Sequence, residues 1–244
     1  MEDRHRPPAG AGPGWAEVWS FDFCAPGASV AGLVRLALVP GRRVAEYWAV
    51  LVGDDRPMML VRDPEVPLPP ASAGLAVRSE GLWSDLVCEE PLSHWSVGLE
   101  AFAVAFDDPM EALGAERGDL VGLGYDLEWE CVARAETVPF GYRQPCFVSG
   151  EVLIGAERLS AEWWGYRTHV WGVDPWVGGL AGRLDDGTWV TDLASVEVSE
   201  RHPAPVRVES ARSEPAVWWQ AACTIGAADG RMGAAWRYSP GPPP

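Results

Sequence analysis

Arginine, histidine and tryptophan recur at alternate positions in the segment Gly165-Tyr166-Arg167-Thr168-His169-Val170-Trp171-Gly172. On a β-strand, Arg167, His169 and Trp171 project to one side and Tyr166, Thr168 and Val170 to the other. An imidazole can act as acid or base near neutral pH, a guanidinium can polarise a carbonyl or fix a carboxylate, and an indole can stack on a ligand. Arg and His inside a barrel are costly unless paired. Two readings follow. Either the three side chains line a pocket, or Arg167 pairs with a carboxylate such as Glu151 to lock the barrel while His169 and Trp171 pack beside it.

A second cluster runs from Asp85 to Trp95, with Glu89-Glu90-Pro91 and His94 inside it. A carboxyl group among apolar neighbours and a tryptophan can have a raised pKa and protonate an alkene or epoxide, which makes Glu90 and Asp85 candidates. The reading favoured over this is a solvated charged loop before a strand, with Pro91 ending the preceding one. His94 with Glu89 or Glu90 falls short of the three placed ligands a metal needs, so no metal site is expected. Fourteen tryptophans occur among 244 residues, and most of them read as core packing. Trp95, Trp129, Trp171 and Trp176, with Tyr166, are the candidate ligand-binding aromatics, since indole faces suit polyene or polycyclic ligands and stabilise cations. A serine nucleophile elbow, a phosphate-cradling glycine loop and a dinucleotide fingerprint are absent from the sequence.

The elements that must position these residues read as strands almost throughout. In Tyr125-Asp126-Leu127-Glu128-Trp129-Glu130-Cys131 the apolar residues take one face and the carboxylates the other. Asp185-Asp186-Gly187-Thr188 and Ala228-Asp229-Gly230-Arg231 are turn signals, because glycine supplies a positive φ. The one helical candidate, Pro109 to Gly114, amounts to a turn or two. Long antiparallel meanders avoid exposed edges by closing into barrels. The expectation is an all-β chain of two β-barrel-like halves, an N-terminal one over residues 15–138 and a C-terminal one over 139–238. Pro/Gly-rich tails at 1–14 and 239–244 are expected to be disordered.

A formal charge of −16 argues against nucleic acid and anionic membrane surfaces as partners and favours a neutral or apolar ligand. The basic residues are all arginine and scattered, as codon bias in a GC-rich genome would give. Five cysteines, widely spaced and odd in number, read as reduced thiols, and neither a signal peptide nor a membrane span is seen, so a cytoplasmic protein is expected. Nothing fixes the oligomeric state.

The second half resembles a known pattern: Gln144, Gly150-Glu151, Arg158, then the segment from Gly165 to Gly172, and Trp176. It is similar to the lipocalin-like superfamily that includes carotenoid 1,2-hydratases, fungal decalin-forming cyclases of the Diels-Alderase type and uncharacterised actinobacterial proteins. Trp15-Ala16-Glu17 and Glu90-Pro91-Leu92-Ser93-His94-Trp95 are compatible with that family's N-terminal barrel. The resemblance implies two lipocalin/calycin-like antiparallel barrels side by side, an apolar ligand held in or between them, and no cofactor. The family's Asp and Ser stand here as Thr168 and Val170, so carotenoid hydration does not simply carry over. The expected function is a cofactor-independent enzyme acting on a hydrophobic isoprenoid-, steroid- or polyketide-like molecule by hydration, cyclisation or isomerisation. Arg167 and His169, with Glu151 or Glu90, would be the catalytic groups. The alternatives are a non-catalytic binder of an apolar ligand and a purely structural or interaction protein.

Overall fold

The computed structural model describes residues 2, 4–114, 117–175, 177–208 and 216–240. Among them there is no α-helix, and none is long and apolar enough to cross a membrane. Eleven strands form the first sheet: β1 (Trp15–Cys24), β2 (Val30–Val39), β3 (Val44–Gly53), β4 (Met58–Pro67), β5 (Leu75–Ser79), β6 (Leu82–Glu90), β7 (His94–Phe106), β8 (Asp119–Cys131), β9 (Glu136–Val138), β10 (Gly141–Ile154) and β11 (Glu157–Val173). Their order is β4-β3-β2-β1-β11-β10-β8-β7-β6-β5, and β4 also pairs with β7 through Met58↔Phe106, Met59↔Ala105 and Leu60↔Val104. That last pairing closes an antiparallel ring of β1–β4, β7, β8, β10 and β11, with the β5–β6 hairpin extending from it and β9 clipped to β10. Closure removes the free edges that so long a meander would otherwise expose.

The second sheet comprises β12 (Gly179–Leu184), β13 (Trp189–Val190), β14 (Val196–Pro203), β15 (Val206–Val208), β16 (Ala216–Ala227) and β17 (Met232–Pro240). Its order is β13-β12-β17-β16-β14, with β15 paired to β16, again antiparallel throughout. The all-β, lipocalin-like architecture read from the sequence is therefore the one observed. The division between the sheets, however, falls after Val173 and not near residue 138. β10 and β11 pair with β8 and β1, and such non-local partners leave no trace in local periodicity.

The 125–131 strand behaves as its alternation requires: Tyr125, Leu127 and Trp129 are buried, while Asp126 and Glu130 are exposed. Gly187 (φ 94°) turns β12 into β13, and Gly230 (φ 87°) joins β16 to β17. Pro109–Leu113 is a single 3₁₀ element capped by Asp108, whose side chain accepts from the Met110 N–H.

Two cores explain why β1 to β3 are buried on both faces. Trp19, Phe21, Phe23, Leu36, Tyr47, Trp95 and Trp129 fill the barrel, while Cys24, Trp48, Val50, Tyr166, Ala181, Ala222 and Trp236 pack between barrel and second sheet. The Trp236 indole N–H donates to the Phe23 carbonyl at 2.9 Å, tying the two layers together. Odd positions of β1 and β11 thus face the barrel interior, and even positions of β1 and of β11 from Trp164 onward lie on the opposite side, toward the second sheet.

Candidate functional site

Two polar clusters occupy opposite faces of the β1–β11 pair. The first, inside one end of the barrel, brings together the Arg167, His169 and Trp171 expected from the sequence. Arg167 is 1% exposed and His169 fully buried. Their register partners on β1 are Phe21 and Trp19, with Glu17 opposite Trp171. The carboxylate on Arg167 is not Glu151 but Glu2: Nη1 donates to Glu2 Oε2 at 3.1 Å and Nη2 to Oε1 at 2.6 Å. Tyr142 OH donates to Glu2 Oε2 (2.8 Å) and the Leu92 N–H to Oε1 (2.9 Å). Burial pushes the Glu2 carboxyl up, yet the charge and hydrogen bonds of Arg167 more than offset this and hold it below the usual carboxylate range. Arg167 Nη2 also donates to Gln144 Oε1 at 2.6 Å, and Nε to Cys131 Sγ at 3.3 Å.

His169 Nε2 lies 2.9 Å from Glu17 Oε1, its Nδ1 lies 3.0 Å from Tyr142 OH, and its ring stacks on Trp19 with centroids 4.5 Å apart. Burial lowers the imidazole pKa against the pull of Glu17. Glu17 is shared with His5, whose backbone N–H and Nδ1 both reach it and whose ring stacks on Trp171 at 3.8 Å. Residues 4–14, expected as a disordered tail, therefore begin as a strap across the barrel mouth. His5, Glu17 and His169 also hold ligand atoms within 4.8 Å of one another, a His-carboxylate-His set able to take a divalent ion that sequence spacing did not disclose.

The other expected residues lie elsewhere. Glu151 forms an exposed pair with Arg158 (2.6 Å), and Glu90 is exposed at the end of β6. Neither joins Arg167, because the register of β10 places Gln144, not Glu151, opposite it. His94 pairs with Glu128 (2.6 Å), and Asp85 with Arg78 (2.9 Å). Trp95 approaches Arg167 with its ring centroid 6.0 Å from the guanidinium carbon, while Trp129 is barrel core whose indole donates to the Asp22 carbonyl at 3.0 Å. Tyr166 faces the second sheet, where its ring meets Trp189. Trp176 lies outside the described residues.

The second cluster lies in the cleft between barrel and second sheet. Its walls include Asp22, Arg35, Trp48, Arg143, Trp218 and Tyr238, and Thr168 lines it too. Asp22 stands between Phe21 and Phe23, so its side chain leaves the barrel core and enters this cleft. It accepts from Tyr238 OH at 2.7 Å and from the Tyr166 backbone N–H at 2.8 Å. Burial raises its pKa to about 7 despite these donors and the charge of Arg143. Arg35 packs its guanidinium over Trp48 (4.3 Å) and Trp218 (4.9 Å), and burial lowers its pKa to about 10 while the charge of Glu46 works the other way. Among the described residues, the buried Gln220 Nε2 and Trp48 Nε1 lack a hydrogen-bond partner.

Sequence reading missed Asp22, Arg35, Arg143, Gln220 and Tyr238. A signal existed for two of them: Asp22 in Ser-Phe-Asp-Phe-Cys and Arg35 in Leu-Val-Arg-Leu-Ala are lone charges in otherwise apolar strands. A charge so placed must be paired or functional, since leaving it buried and unpaired is costly.

Comparison with solved structures supports the architecture. An AttH-like protein of Nitrosomonas europaea matches with a TM-score of 0.54 at 11% identity, covering 97% of this chain and 96% of its own. CghA crystallised with Sch210972 matches with a TM-score of 0.50 at 11% identity, covering 93% and 88%. At such identity the likeness is one of fold, and it agrees with the superfamily that the Gly165 to Gly172 motif resembles. No curated protein matches the sequence. The family model described as "Domain of unknown function (DUF7064)" matches residues 1–191, most of the chain, and the protein belongs to that family.

Proposed function

We propose that the protein is an enzyme that moves a proton on a hydrophobic small molecule held in the cleft between barrel and second sheet, in a hydration, cyclisation or isomerisation. The observation that carries this reading is Asp22, a buried carboxyl group raised to about 7 in a cleft that also presents two arginines and two indoles. A carboxylic acid with such a pKa is half protonated near neutrality, where a general acid works best.

Proton delivery runs through a pair. With the Tyr166 N–H on Oδ1, a protonated Oδ2 donates to Tyr238 O, and the phenolic hydrogen is then free to point into the cleft. Protonation of an alkene would leave a cation facing Trp48 and Trp218, whose π faces already stabilise Arg35. Enolisation of a carbonyl, or addition to one, would develop negative charge on its oxygen, which Arg35 and Arg143 would stabilise while the pair delivers the proton. Arg167 and His169 face the other side of the strand pair and take no part in these steps.

The test is incubation of the purified protein in ²H₂O with an apolar extract of its source cells, followed by mass spectrometry. The expected result is a product carrying solvent deuterium that forms with the unmodified protein and not with Asp22→Asn. Recovery of the same unlabelled compounds in both cases defeats the enzymatic reading, and a retained but unchanged ligand would support a binding role instead.

A further inference from the structure

The barrel mouth contains a complete receptor for a carboxylate, and its present occupant is a side chain of the same molecule. Four donors converge on Glu2, two on each oxygen: Arg167 Nη2 and the Leu92 N–H on Oε1, and Arg167 Nη1 and Tyr142 OH on Oε2. Two donors per oxygen is the full hydrogen-bonding capacity of a carboxylate. The guanidinium fork meets it in the two-pronged manner that planar carboxylates favour. A tetrahedral phosphate or sulfate would bring a third oxygen for which this set holds no donor.

The receptor is braced from behind. Gln144 accepts from Arg167 Nη2 through Oε1 and donates through Nε2 to the carbonyls of Leu92 (3.0 Å) and Ala133 (2.7 Å). Leu92 is held at φ 61°, a conformation that leucine adopts at a cost, and in it the N–H points at the carboxylate.

The strap that supplies Glu2 is lightly attached. Residues 4–14 pair with no strand; beyond the local bonds of Ala11 N–H to Pro8 and Trp15 N–H to Gly12, they are held by the Asp174 N–H on the Gly14 carbonyl, the His5 N–H on Glu17 and Arg4 Nη1 on the Pro69 carbonyl. Segments with so few bonds are the first to open. Immediately beside Glu2 and Arg4 a groove of about 980 Å³, open mouth included, runs along Trp19, Leu75, Leu86 and Trp95. Its wall is mostly apolar, with Asp85 and Arg4 among the residues that line it, and Glu2 stands at its edge.

The geometry points to a second ligand site, separate from the cleft around Asp22: Arg167, Tyr142 and the Leu92 N–H bind the carboxylate of an amphiphilic monocarboxylic acid, its tail in the Trp19–Trp95 groove, and Glu2 competes for the same place. With a net charge of −16 the molecule as a whole repels anions, so recognition depends on Arg167. The site does not depend on the activity proposed for the cleft, and either can fail alone.

The test compares decanoate with decanamide, read by tryptophan fluorescence and thermal shift, on the full chain and on Glu2→Ala. Removing the internal competitor is expected to tighten decanoate binding about tenfold or more, as an apparent dissociation constant scales with the fraction of open site. Decanamide binding should stay unchanged, and Arg167→Met placed on Glu2→Ala should abolish the preference for the acid. In the unmodified chain, saturating decanoate should speed amide exchange in residues 4–14. Equal binding of acid and amide by Glu2→Ala overturns the proposal, as does an unchanged affinity for decanoate. If Glu2→Ala does not fold alone, rescue by decanoate but not decanamide supports the site, and rescue by neither overturns it.

Discussion

Replacing Asp22 with asparagine separates the chemistry proposed for the cleft from the stability of the fold. The folded protein releases the Asp22 proton at about 7, burial being the main cause, whereas an unfolded chain releases it near 3.9. Between those values the folded state holds a proton that the unfolded state has lost, so this group's contribution to stability falls as pH rises. At about 1.4 kcal/mol per pH unit over roughly three units, the loss is on the order of 4 kcal/mol, complete above about pH 7. The asparagine introduced by Asp22→Asn has no proton to lose, and its amide can keep both contacts, accepting from the Tyr166 N–H and donating to Tyr238 O. Urea unfolding of both proteins from pH 5 to pH 8 should therefore show the variant gaining on the unmodified chain through pH 7 and holding its advantage beyond. All other carboxylates titrate alike in the two, so the difference isolates Asp22. A flat difference, or one in which the unmodified chain gains with pH, would refute the raised pKa, since the latter is how an Asp22 held ionised by Arg143 would behave. Turnover should fall by about 10² to 10⁴ in the variant, the usual worth of a general acid.

Two further outcomes test the strand pair and the barrel end. Gly165→Ala should destabilise the protein by about 3 kcal/mol or more in thermal unfolding, since its Cβ would collide with the Asp22 carbonyl oxygen across β1 and β11, and an unchanged Tm would contradict that close approach. Cys131, which the Cys146 thiol at 3.6 Å and Arg167 bring down to about 7 against burial, should be alkylated by iodoacetamide at pH 7 ahead of the buried Cys24 and Cys223 in peptide mapping; equal labelling of the three would refute it.

What the sequence disclosed and what it hid divide along a physical line. Period-two alternation exposed the strands with one wet face, such as 125–131, and put Arg167 and His169 on a common side. It failed for β1 to β3, where both faces are covered and the apolar pattern is continuous, so nothing told which side met the barrel and which the second sheet. The strap escaped because its composition is that of a tail, while its attachment comes from side chains such as Glu2 and His5 reaching Arg167 and Glu17, residues far away in sequence. Non-local pairing of β1 with β11 moved the sheet boundary past Val173 although Pro139 offered a plausible break. The cleft residues come from β1, β2, β3, β10, β11, β12, β16 and β17, and no spacing rule links elements so far apart in sequence.

The same parity bears on the acid that the Gly165 to Gly172 motif lacks. Thr168 stands where the resembling family has Asp, and even positions of β11 face the second sheet, so that carboxyl would have entered the cleft. Thr168 is opposite Ser20, and Asp22 is the next residue of β1 on the same face. Asp22 thus puts a carboxyl group into the same cleft one strand and one pleat away from Thr168, where Tyr238 and the Tyr166 N–H hold it. Placing a carboxyl at Thr168 tests whether position or partners matter. In Asp22→Asn carrying Thr168→Asp, a new carboxyl enters the cleft without these two donors. If burial among apolar walls is enough to make an acid, part of the turnover lost in Asp22→Asn should return. If delivery needs the hydroxyl of Tyr238, turnover stays low, and Tyr238→Phe alone should lower it as far as Asp22→Asn does. Adding Thr168→Asp to the unmodified chain should place two carboxyls on one face and raise the apparent pKa of the activity further. An activity profile unmoved by that second carboxyl would show that the proton does not come from this face of the strand pair.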